Sequence, residues 1–290
     1  MNETASIPRR SPVTENVVIY GDSWPVVSAV QSLTTAILPD SQCRAIFDLP
    51  SLIQRLTLEP QAVLILCLRP REHVFLFYAL RQTLPYHPVL VISDEMFFND
   101  RLMLRVWGNL PCMMHDELSM MVASQRLCEL LPAAPGHYCP EKCLLTGFLQ
   151  SPSLPAGSPE VPWIFHLEEP LMDYMSLLIY REMLDRKITP FRMRMLQTIW
   201  SGFQTRDELT AELDTPERKL WNEKHRLLTQ LGMPSRLRDI LYGTRFCSFQ
   251  QRTAFIPPAE VENICSGVME RMITRAGSHY TAIIPDEAAS

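Results

Sequence analysis

Between Val17 and about Leu130 the chain alternates short apolar runs with longer stretches of helical spacing. Val17–Tyr20, Arg44–Phe47, Ala62–Leu68 and Pro88–Ser93 are aliphatic or β-branched and bounded by chain-breaking residues, which predicts buried strands. Pro25–Leu38, Leu49–Leu58, Arg71–Thr83 and Asn99–Trp107 carry their apolar residues at helical intervals. This alternation predicts an α/β unit: a parallel sheet with helices on both faces, because each parallel crossover lays a helix on the sheet. The texture then changes. Residues 131–162 are dense in Pro, Gly and Ser, and SPSLPAGSPEVP within them reads as a linker. Glu168–Arg186 follows, with Leu171, Met175, Leu178, Ile179 and Met183 on one stripe. That pattern predicts a connecting or dimer-forming helix, although such stripes more often serve as plain core.

From Ile188 to Phe246 four short helices are predicted. Thr189 before Pro190 is an N-cap followed by proline in the first turn, and Met193, Leu196, Ile199 and Trp200 form one apolar face up to Ser201-Gly202. Arg206–Leu213 buries Leu209 and Leu213. Thr215-Pro216-Glu217 repeats the cap-plus-proline start, and Leu220, Leu227, Leu228 and Leu231 line the inner face of a third helix closed by Gly232. Arg236–Thr244 buries Leu237, Ile240 and Leu241. A turn between the second and third helices is the helix-turn-helix plan, in which the later helix enters the major groove. The outward face of that helix (Pro216–Gln230) carries Arg218, Lys219, Trp221, Asn222, His225 and Arg226. Positive charge, a side-chain amide and an aromatic ring suit phosphates and base edges.

The segment resembles the C-terminal domain of LuxR/FixJ/NarL-type regulators. The matching positions are Ile188-Thr189-Pro190, Leu196, Gly202, Glu208-Leu209, Leu213, Asn222, Arg226-Leu227-Leu228, Leu231-Gly232, Arg236 and Leu241-Tyr242, with one residue inserted after Gly202. The resemblance implies an all-α four-helix DNA-binding domain over 188–246 in a transcription regulator. Its partners would be double-stranded DNA and a second chain, either a homodimer or a heterodimer with a related regulator. The chain departs from the family where the recognition helix opens: Trp221 stands in place of the usual Lys and Glu223 in place of the usual His. Phe191-Arg192 replaces the usual acidic pair after the first proline.

With that resemblance in view, the α/β half (residues 16–130) is similar in layout to a response-regulator receiver domain. A working receiver needs an acidic pair after the first strand, an Asp acceptor ending the third, and a Lys near the fifth. Here the corresponding positions hold Gly21-Asp22, Leu66 or Cys67, and His115, so only Asp22 and Ser93 remain compatible. One carboxylate holds Mg²⁺ weakly. The half is therefore expected to be a pseudo-receiver that packs, dimerises or binds a partner rather than accepting a phosphoryl group. A second function class follows from the same residues: an interaction protein that modulates a related regulator by heterodimerisation, with weak DNA binding of its own.

Composition and candidate chemistry change this picture in several places. The net charge of −5 is uneven: residues 181–252 hold 14 Lys and Arg against 9 Asp and Glu, so a basic segment sits on an acidic protein. The 8 cysteines lie mostly in apolar runs, which with a polar N-terminus leads to an expected cytoplasmic address. The longest apolar runs are too short to span a bilayer. His137, Cys139 and Cys143 are the only spacing that invites a metal, and the second ligand pair of a structural zinc site is missing. Phosphate cradles and nucleophile elbows are absent, and Asp94-Glu95 near His87 or His115 reads as loop acid rather than catalysis. No enzyme, cofactor or metal is expected. Residues 1–15 read as a loose arm. After Pro257-Pro258, Val261, Ile264, Val268, Met272 and Ile273 predict an amphipathic helix in the extension 247–290.

Overall fold

The computed structural model describes residues 16–130, 143–202, 205–233 and 237–281. The arm 1–15, His137 and Cys139 lie outside them, as does the tail beyond residue 281. Five parallel strands, β1 (Asn16–Gly21), β2 (Gln42–Ile46), β3 (Val63–Cys67), β4 (Val89–Ser93) and β5 (Cys112–Met114), form one sheet in the order β2-β1-β3-β4-β5. Alternate residues face opposite sides. Val17, Ile19, Val63, Ile65, Ile92 and Met113 pack under α1 (Trp24–Ile37), α5 (His115–Leu130) and α6 (Leu144–Gln150). Val18, Tyr20, Leu64, Leu66, Val89 and Val91 pack under α2 (Leu49–Leu58), α3 (Val74–Ala79) and α4 (Phe98–Val106). Near-continuous burial of β3 and β4 is what a sheet covered on both faces requires.

The predicted helix Arg71–Thr83 is broken. His73 takes a non-helical conformation between a short 3₁₀ turn (Pro70–Glu72) and α3, and every residue from Val74 to Leu80 is buried. A helix buried on all sides has no polar face to betray it. Residues 151–165, which take in the end of the Pro-rich stretch, run against the α/β half: Val161 is buried, Glu160 N donates to Val106 O at 2.8 Å, and Tyr78 Oη donates to Phe165 O at 3.0 Å.

The second layer begins with α7 (Glu168–Asp185) and continues through α8 (Pro190–Trp200), α9 (Arg206–Glu212), α10 (Glu217–Leu231) and α11 (Leu237–Gly243). Thr189 Oγ1 accepts from Arg192 N at 3.4 Å, and Thr205 with Glu208 forms a reciprocal capping box. The start of α10 differs by one residue from expectation. Pro216 holds the N-cap, while the Thr215 hydroxyl is buried and donates back to Leu213 O at 2.9 Å. Gly232, at φ +62°, ends α10 in the left-handed region that favours glycine. Finally α12 (Pro258–Thr281) packs on α2, with Val261 and Val268 buried.

One apolar core joins the halves, running from the α2–α4 face of the sheet through Met175, Ile179, Leu196, Leu228 and Ile240 to Val261. The junction is polar at its rim. Asn99, fully buried at the start of α4, donates its Nδ2 to Tyr242 O at 2.7 Å and Arg245 O at 2.9 Å. A Cβ on Gly243 would sit 3.0 Å from that of Phe97, so α11 approaches α4 as closely as glycine allows. The two expected units, an α/β sheet unit and an all-α C-terminal unit, are thus both present and docked.

Candidate nucleic-acid interface

The inner face of α10 is Leu220, Leu227, Leu228 and Leu231, all buried. Because helical residues three and four apart share a face, this fixes the opposite side outward. Arg218, Lys219, Trp221, Asn222, His225 and Arg226 are all exposed there. Trp221, 54% exposed, stacks on His225 with ring centroids 5.8 Å apart and planes 11° apart. It also lines a pocket of about 160 Å³ between α8, α9 and α10. The Lys219 ammonium lies 5.3 Å from the Phe191 ring centroid, in cation–π range.

Two departures from the usual family pattern belong together. Arg192 Nε bonds Glu223 Oε2 at 2.8 Å, and Arg226 Nη1 lies 3.1 Å from Glu223 Oε1. Arg192, through its hydrogen bond and its charge, and then Arg226 hold the Glu223 carboxyl below its ordinary pKa. Glu223 on α10 is therefore matched by Arg192 at the start of α8, a pairing invisible without the fold.

The C-terminal end of α10 is held by the rest of the chain. Arg101 from α4 donates to the carbonyls of Leu231 and, at 3.1 Å, Gly232. Arg186 reaches Gln230 O at 3.4 Å, and Gln230 donates to Arg186 O. Arginines at a helix C-terminus meet orphan carbonyls and the negative end of the helix dipole. Arg101 and Arg186 thus hold the far end of α10, while its first two turns lie against α8 and α9.

At the C-terminal end of the sheet, Asp22, Cys67, Ser93 and His115 come together around a cavity of about 310 Å³. These are the positions singled out from the receiver-like layout, with Cys67 rather than Leu66 facing the cavity. Burial pushes the Cys67 thiol up to about 12, which keeps it protonated. The sequence reading missed what fills the mouth. Arg252, from the extension beyond α11, lies 2.5 Å from Asp22 Oδ2 and 2.7 Å from Glu72 Oε2. Its neighbours complete a strap: Gln251 Oε1 accepts from Val74 N at 2.8 Å, and Thr253 Oγ1 is 2.8 Å from His73 Nδ1. Arg69 pairs with Asp94 at 2.6 Å across the same mouth. Asp22 is held down to about 2, first by His73 beside it and then by Arg252. Among the described residues no group of three or more His, Cys, Asp or Glu could hold a metal ion, and no helix is long and apolar enough to cross a membrane. Cys143 is buried at the start of α6.

No protein-family model matches the chain, and no curated protein matches it. Similar solved structures include the two-component response regulator RcsB in complex with DNA, at 15% identity and TM-score 0.44, covering 79% of this chain and 97% of that one. RcsB from Salmonella enterica serovar Typhimurium bound to promoter P1flhDC in the presence of phosphomimetic BeF3− gives 15% identity, TM-score 0.42 and coverage of 80% and 98%. The same Salmonella protein bound to promoter rprA gives 14%, 0.40, 79% and 97%. At these values the likeness assigns no function, which has to come from this chain's own residues.

Proposed function

We propose that the chain is a DNA-binding transcription regulator of the LuxR type, whose α/β half is a pseudo-receiver not controlled by phosphorylation. One observation carries the reading: the six side chains Arg218, Lys219, Trp221, Asn222, His225 and Arg226 share the exposed face of α10. Arg218, Lys219 and Arg226 would contact phosphates, while Trp221, Asn222 and His225 would lie near base edges. A dimer would present two such helices to two half-sites. The pseudo-receiver reading is supported by Cys67 and Leu68 at the end of β3, and by Arg252, which already neutralises Asp22.

The test is footprinting of the purified chain on genomic fragments, against random DNA at stated salt. Protected sites lost in Lys219→Ala and Asn222→Ala support the reading. Equal affinity for random and selected DNA overturns it. The second reading, an interaction protein that modulates a related regulator, is favoured by Trp221, a large exposed apolar ring where the family carries a cation. It predicts a footprint only when that related regulator is added.

A further inference from the structure

The outward stripe of α7 runs Glu169, Asp173, Leu177, Tyr180, Leu184, at intervals of three and four residues, and Lys187 is exposed just beyond the helix end. Leu177 is 64% exposed, Tyr180 45% and Leu184 52%, although the opposite face of the helix is buried. Along the chain the order is acid, three apolar side chains and, past the helix end, base. Asp173 and Lys187 have no ion-pair partner among the described residues, whereas Arg181 and Arg186 beside them are paired with Glu160 and Glu182.

That order is self-complementary in one direction only. Two copies related by a two-fold axis at Tyr180 bring Tyr180 onto Tyr180, Leu177 onto Leu184, and Asp173 onto Lys187. A parallel pair would stack Asp173 on Asp173 and Glu169 on Glu169, which like-charge repulsion opposes. Ser176 beside the axis is small enough for close approach. A two-fold contact between identical patches is isologous, so each match occurs twice. We propose that α7 pairs antiparallel with α7 of a second copy of this chain, on a two-fold axis passing at Tyr180. The inference deepens the half-site reading by naming the partner, but it stands on α7 alone.

Cysteine substitution in the full chain tests both the pairing and its direction. Tyr180→Cys is expected to give a disulfide-linked dimer under mild oxidation, above the background of the native cysteines. Asp173→Cys is expected not to link to itself, since the two copies of that position lie about 20 Å apart along the helices. A mixture of Asp173→Cys with Lys187→Cys is expected to link. In sedimentation, Asp173→Lys should weaken the dimer about tenfold, and the added Lys187→Asp should restore it. These sites are exposed, so each variant should fold. A chain that stays monomeric at every concentration overturns the inference, as does self-linking of Asp173→Cys, the mark of a parallel pair. A monomer that still footprints a half-site overturns the pairing and spares the DNA reading; a dimer without a footprint does the reverse.

Discussion

Asn99 is the most informative single residue at the junction between the halves. Its amide donates to the carbonyls of Tyr242 and Arg245, where the chain leaves α11, and two carbonyl acceptors require the nitrogen to point that way. Asn99→Ala deletes both bonds, each worth about 0.5–1.5 kcal/mol. Its Oδ1 is buried without a partner, so removing it returns part of that loss. The expected net cost is about 1–2 kcal/mol. Asn99→Asp keeps the shape but aims a carboxylate at two carbonyls out of reach of water, at an expected cost of about 3–5 kcal/mol. The sign with pH follows. The introduced carboxyl has a folded-state pKa raised above its unfolded value of about 3.9, so the deficit is largest at neutral pH. It shrinks as pH falls through the raised folded value, where protonation restores one donor. Equilibrium urea unfolding at two pH values measures this, with a constant slope as the check on two-state behaviour. Equal stability of the Asp and Ala variants at pH 7 would refute the donor role of Asn99, and with it the polar clamp between α4 and α11.

Three further outcomes are expected. Arg252→Ala should cost about 1 kcal/mol, because the guanidinium is half exposed and its pairs are screened, and the loss should shrink at high salt in a calorimetric Tm series; a salt-independent loss would mean the strap is held by packing instead. Burial pushes His87 below its ordinary 6.5, so the unfolded chain binds a proton that the folded chain refuses; stability should fall as pH drops below about 6.5, and His87→Gln should flatten that slope. Glu223→Gln should release Arg192 and Arg226 and tighten non-specific DNA binding several-fold at low salt; unchanged affinity by anisotropy would remove α10 from the phosphate path.

The helices of the C-terminal unit were legible because their signals are local. Thr189-Pro190, Thr205 with Glu208, Gly232 and the leucine stripe of α10 each act within a few residues. The four longer strands were legible for the same reason, being short aliphatic runs between breakers. What stayed hidden is long-range. Arg252 meets Asp22 across 230 positions of chain, and nothing in Gln251-Arg252-Thr253 marks it as a strap. Phe75 and Tyr78 are covered by Phe255 and Phe165 from far along the chain, so nothing local marks α3 as buried on all sides. The pairing of Glu223 with Arg192, 31 positions earlier, is likewise long-range.

The central claim is that α10 meets DNA through its outward face, and the salt dependence of affinity tests it most directly. Each phosphate contact contributes about −0.9 to the slope of log affinity against log salt. The account predicts that Arg218→Ala and Lys219→Ala each lower the steepness of that slope by about one and weaken binding to all sequences alike, while Asn222→Ala leaves the slope and relaxes sequence preference. Unchanged slopes in both charge variants, with the wild-type chain still bound to DNA, would contradict it.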